Sequence, residues 1–149
     1  MKKARLRWAA KKPGQPVDEL TFDIEYKDDD ERSEKELKLA QQLVQGYVEV
    51  VWIGGDVKIL VNEEAMYNLN MKDNCGFLGN IVFFRGDREW FGSLTNEDLR
   101  KVHKWCELHK DDKYSGNTGV QVFTGKAIEE YREKLKVVQK SQQLEWESL

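Results

Sequence analysis

Cysteine is scarce: Cys75 and Cys106 are the two in 149 residues, so a disulfide framework and a four-cysteine metal site within one chain are both excluded. No apolar run approaches the roughly 20 residues that span a bilayer, and the basic start (Lys2, Lys3, Arg5, Arg7) leads into no apolar segment of the signal-peptide kind. A cytoplasmic protein is expected. Neither sign of charge dominates: 24 Lys+Arg stand against 27 Asp+Glu, for a net charge of −3, which argues against a general nucleic-acid binder. Phosphate-loop, dinucleotide and serine-hydrolase signatures are missing; Gly54-Gly55 lacks the required spacing and links strand to strand. No catalytic residues and no cofactor are expected, and a non-enzymatic role follows. Internal repeats and a linker to a second domain are also absent.

What is present is charge in blocks. Residues 1–17 carry Lys2, Lys3, Arg5, Arg7, Lys11 and Lys12 without an acid, and residues 18–36 hold ten acids against three cations. These read either as a basic arm and an acidic patch for partners, or as two strands of a hairpin whose charges face each other. Leu6 and Trp8 alternate with Arg5 and Arg7 in a short strand that Pro13-Gly14-Gln15-Pro16 ends. Leu20, Phe22, Ile24 and Tyr26 alternate with polar residues as a half-buried strand does. The Asp28–Glu31 run reads as a loop before a helix that starts at Ser33, carries Leu37, Ala40, Leu43 and Val44, and stops at Gly46.

β-Branched runs at 47–53 and 57–61 flank Gly54-Gly55-Asp56 and form a hairpin. Residues 62–79 read as a long ordered loop with one helical turn at 63–67. A second hairpin joins Ile81–Phe84 to Glu89–Ser93. Thr95 and Asp98 open a helix with an apolar stripe of Leu99, Val102, Trp105 or Cys106, and His109. Val120–Phe123 reads as a short edge strand. Ile128, Tyr131, Leu135 and Val138 then occupy a and d positions of a last helix until Gln142 and Glu145 break the pattern. The expected fold is α+β: a mostly antiparallel sheet of two hairpins plus an N-terminal strand, covered by about three helices in two layers.

Three constellations invite chemistry. His103, Cys106 and His109 share a helix with zinc-ligand chemistry, and Cys75 would complete four ligands; yet His103 and His109 diverge by about 120° around that helix, and no metal is expected. Arg85, Arg88, Trp90 and Phe91 gather around the second hairpin. Arginine forks hold phosphate and flat rings stack on bases, so this group is a candidate nucleotide site, with Asn62 or Asn80 reading a base or ribose edge. The same residues also fit cross-strand packing with exposed turn arginines. Finally, the stripe Ile128, Tyr131, Leu135 and Val138 fits either a homo-oligomer interface, in which Lys126, Arg132 and Lys136 would complete a cationic rim for the nucleotide site, or docking onto the chain's own sheet.

From Gly46-Tyr47-Val48-Glu49-Val50-Val51, through Gly54-Gly55-Asp56 and Leu60-Val61-Asn62-Glu63-Glu64, to Gly79-Asn80-Ile81-Val82-Phe83, the sequence resembles a small domain family of unknown function found in bacteriophages and mobile elements. The resemblance covers roughly 20–105 of a single domain spanning 1–149, with 106–149 as a C-terminal helical extension. It supplies no catalytic residues. It implies a phage setting, in the cytoplasm of an infected bacterium, where small accessory proteins counter host defence by binding. The expected role is sequestration of a nucleotide-type immune signal. The alternatives are a protein inhibitor that covers a host defence enzyme with an acidic surface such as Asp28–Glu31, and an acidic DNA mimic.

Overall fold

The computed structural model describes residues 1–68, 70–86, 91–115 and 126–149. Strands β1 (Lys2–Lys11) and β2 (Val17–Tyr26) pair antiparallel over all ten residues of each. The register sets Lys3 opposite Glu25 and Arg5 opposite Asp23, and both pairs are ion-paired, at 3.6 and 2.8 Å. The basic block and the first four acids of the acidic block, Asp18, Glu19, Asp23 and Glu25, are therefore on facing strands of one ribbon, which also makes β1 longer than the Leu6–Trp8 alternation predicts. Residues 1–17 are ordered as strand and turn.

β3 (Val48–Gly54) and β4 (Val57–Asn62) form the expected hairpin. β7 (Ile81–Arg85) lies between β1 and β4, giving the antiparallel order β2-β1-β7-β4-β3. Gly92 meets it in one isolated bridge at Arg85, and residues 87–90 lie outside the described residues. Its unbroken apolar run explains this placement. Val82 and Phe84 face one core with Leu6, Trp8 and Leu60, while Ile81 and Phe83 face the other with Ile59 and Val61, so the strand must be buried on both sides.

Helices cover both faces. α1 (Asp29–Val44) packs on the Trp8 side, whereas α2 (Asn96–His109) and the C-terminal end of α3 (Lys126–Glu147) pack on the other. The result is three layers, not two. α1 begins four residues before Ser33 because Asp28 caps it, accepting from the Glu31 N–H at 2.9 Å, and Asp29, Asp30 and Glu31 suit the positive end of the helix dipole. Its buried stripe is Glu36, Ala40 and Val44, one residue round from the Leu37 stripe, and Leu37 stays exposed. Arg32 makes this possible by donating to Glu36 at 3.3 Å and to the Tyr26 hydroxyl at 3.2 Å.

The 62–79 stretch holds the expected single turn as a 3-10 helix at Ala65–Tyr67, and also a miniature hairpin of β5 (Asp73–Asn74) and β6 (Phe77–Leu78). α2 carries the full capping box of Thr95 and Asp98. α3 runs past Gln142, and Trp146 is buried against Gly54 and Gly55, where no side chain would fit: a Cβ on Gly54 would stand 2.3 Å from that of Trp146. The edge strand expected at 120–123 lies outside the described residues. Among the described residues no helix is long and apolar enough to cross a membrane.

Candidate functional site

α1 ends where Gln45 turns into the left-handed region at φ 64° and the Gly46 N–H reaches back to the Gln41 carbonyl at 3.0 Å. The freed carbonyls of a helix end need donors, and two asparagines of the sheet supply them. Asn62, at the end of β4, donates its amide to the Val44 and Gln45 carbonyls at 3.2 Å each, and Asn80 donates to the Leu43 carbonyl at 3.1 Å. The Asn62 Oδ1 accepts from the Glu64 N–H at 2.8 Å, and the Glu63 N–H donates to the Tyr47 carbonyl at 2.8 Å. Gly46 is required by contact, since a Cβ there would sit 2.6 Å from Asn62 Nδ2. The segments Gly46-Tyr47 and Asn62-Glu63-Glu64, far apart in sequence, are thus bound into one wall.

That wall borders a cleft of about 440 Å³ over Asn62, with Gln41, Gln45, Tyr67, Asn68 and Met71 around it. Tyr47 and Tyr67 are 66% and 79% exposed, so two large rings stand at the rim with most of their surface in water. Among the described residues no lysine or arginine lines the cleft, and Glu64 together with the negative end of α1 makes it unfavourable for a phosphate. Flat rings beside carboxamides suit a neutral or cationic planar heterocycle, held by stacking and read at its edge.

Of the six residues singled out for ligand binding, the four described ones are not gathered at one place. Asn62 and Asn80 lie at the α1 end of the β4–β7 pair, and their amides brace helix carbonyls. Arg85 lies at the opposite end, where Val57 is its neighbour. Its Nη1 spans both Asp98 oxygens at 3.0 and 2.9 Å, and its Nη2 meets Asp56 at 2.7 Å. Arg85 therefore joins β7, the β3–β4 turn and the cap of α2. Phe91 packs edge-on against Phe84 and Trp8, with centroids 4.9 and 6.0 Å apart. Arg88 and Trp90 lie outside the described residues. Of the proposed interface, Leu135 and Val138 are exposed on α3, and the side chains of Ile128 and Tyr131 are outside the described set.

His103, Cys106 and His109 do not converge. His103 meets Glu19 at 3.2 Å, and His109 bridges Asp112 and Glu145 at 2.5 and 3.0 Å. No metal-holding group of three ligands occurs among the described residues. The Asp28–Glu31 acids form the cap and first turn of α1. Sequence reasoning missed Tyr47, Tyr67 and the two glutamines; the available signal was a tyrosine directly after a helix-stopping glycine.

The profile of the family described as "Domain of unknown function (DUF3846)" matches residues 12–107. This stretch begins in the β1–β2 turn and ends within α2, so it contains the whole cleft but not α3. No curated protein and no solved structure matches the chain.

Proposed function

We propose that this chain, which belongs to the DUF3846 family, is a non-catalytic binding protein that takes the heterocyclic end of a nucleotide-type ligand between Tyr47 and Tyr67. One observation carries the reading: two largely exposed tyrosines flank a concavity lined by carboxamides. Stacking on such rings tolerates any base, and the Gln41 and Gln45 amides have no hydrogen-bond partner among the described residues, leaving donors and acceptors for a base edge. With no cation in the lining among the described residues, the phosphate of a nucleotide would point outward to solvent. In the setting implied by the resemblance, the cytoplasm of an infected bacterium, tight stoichiometric binding would deplete a signal that host defence needs.

Calorimetry with matched nucleosides and nucleotides tests this. Tyr67→Ala and Tyr47→Ala should each weaken binding about 5- to 150-fold, because stacking of a base on an aromatic ring is worth about 1–3 kcal/mol. The nucleoside should bind about as well as its phosphate. Flat titrations for the whole panel, with a host enzyme retained stoichiometrically from lysate, would replace this reading with protein inhibition. Binding lost in Arg88→Ala but kept in Tyr67→Ala would move the ligand to the arginine–aromatic loop.

A further inference from the structure

The two cysteines are 31 residues apart in sequence and meet in space. Cys75 and Gly76 are the two turn residues between β5 and β6, with φ of 53° and 90°, so a cysteine fills a position that ordinarily takes asparagine or glycine. The turn is pinned on three sides. Asn74 donates to the Lys11 and Gly79 carbonyls at 2.8 Å each, the Gly76 N–H donates to the Asp112 carbonyl at 3.1 Å, and the Tyr114 N–H donates to Asp73 at 2.9 Å. This rigid mount aims the Cys75 Sγ at α2, where its thiol donates to the Cys106 carbonyl at 3.7 Å and lies beside the Cys106 thiol.

Both cysteines are buried, at 2% and 4% exposure. Both cysteines line a cavity of about 490 Å³ beneath the β1–β2 turn, edged by Lys11, Lys110 and His103. They are also unequal. The hydrogen bond from Cys106, then the charge of Lys11, bring the Cys75 thiol down to about 7 against the opposing effect of burial, while the same contact and burial push Cys106 up. A thiol of lowered pKa beside one of raised pKa is the arrangement in which the first attacks an oxidant and the second resolves the product.

We propose that Cys75 and Cys106 form a hydroperoxide-reactive pair, with Cys75 the attacking and Cys106 the resolving thiol. The Cys75 thiolate attacks the distal peroxide oxygen, the O–O bond breaks, and hydroxide (or alkoxide) leaves, giving Cys75 sulfenic acid. The Cys106 sulfur then displaces that oxygen; an S–S bond forms, and the thiol proton leaves with the hydroxyl as water. Two thiols are oxidised by two electrons as one peroxide is reduced. The disulfide ties the β5–β6 turn to α2, and a thiol reductant reverses it.

Hydrogen peroxide added to the reduced full-length chain is the probe. Intact mass should fall by two hydrogens, both thiols should resist alkylation after unfolding, and the rate at neutral pH should exceed that of free cysteine about 10-fold. In Cys106→Ser, Cys75 should remain as a sulfenic acid that a dimedone-type reagent traps. Cys75→Asn, which suits the left-handed turn and so preserves the fold, should leave Cys106 unreactive. Persistence of two alkylatable thiols under conditions that consume free cysteine would overturn the proposal. So would disulfides formed only between chains, or trapping of Cys106 instead of Cys75.

Discussion

Glu36 is 1% exposed, yet it is a carboxylic acid on the face of α1 that packs against the sheet. Burial raises its pKa, and the Arg32 guanidinium and the Phe91 backbone N–H pull the other way without cancelling it. A folded-state value above the unfolded 4.5 means that protonated Glu36 favours folding at low pH, and that this contribution is lost as pH rises through the folded value. Glu36→Gln keeps the shape and removes the titration. Urea midpoints from about pH 4 to about pH 8 should therefore show the wild type losing ground to the glutamine variant as pH increases. A pH-independent difference would mean that Glu36 has the same pKa in the folded and unfolded chain. Residue chemistry also set the limit on reading the site from sequence. Asn62 and Arg85 were recognisable as groups that seek partners, but their partners are the α1 carbonyls and two aspartates of the same chain, which lie 17 or 18 and 13 or 29 residues away. Tyr47 is exposed for the opposite reason: the sharp exit from α1 turns it away from the core, and only the fold shows that Tyr67 stands nearby.

Among the elements, those held by local chemistry were the legible ones. The Thr95–Asp98 box placed α2, and Gly54-Gly55-Asp56 placed the β3–β4 hairpin. Those placed by distant contacts were not: β7 reads locally as half a hairpin, and Trp146 follows the point where the heptads of α3 fail. The docked end of α3 rests on such contacts. Trp146 is buried at the glycine turn, Gly55 donates its N–H to Gln143 at 2.7 Å, and Lys101 donates to the Trp146 carbonyl at 2.9 Å. His109 adds a charge-dependent link, since Nδ1 meets Asp112, Nε2 meets Glu145 of α3, and the ring lies 4.6 Å from that of Trp105. Burial lowers its pKa, but the two carboxylates outweigh that and leave it above the ordinary 6.5. The stabilisation is fully present below 6.5 and disappears as pH rises through the raised value. Amide exchange at 142–147, corrected for its intrinsic pH dependence, should accelerate relative to the sheet from about pH 6 to about pH 9, and His109→Gln should abolish that difference. Equal behaviour of both proteins would show that Trp146 packing alone holds the helix.

For the molecule as a whole, the α+β class and the antiparallel sheet follow from alternation and turns, while the third layer does not. Continuous apolar runs such as Ile81–Phe84 admit either a strand covered on both faces or part of a buried helix. The same scale raises the matter of α3, where residues 132–141 are all exposed and Leu135, Val137 and Val138 stand in water. A helical stretch that long gains little from propensity alone, so an apolar stripe along it calls for cover. The a and d spacing of Ile128, Tyr131, Leu135 and Val138 matches a second copy of itself, which a two-fold axis would pair isologously. Sedimentation at micromolar concentration should show a reversible dimer, and Leu135→Glu with Val138→Glu should return it to monomer. Arg132 and Lys134 fall at the e and g positions that flank this seam, so like charges meet across it and salt should strengthen the association. A wild type that stays monomeric up to about 100 μM at high salt rules the dimer out. Residues 132–141 would then exchange their amide protons at nearly the rate of an unfolded chain.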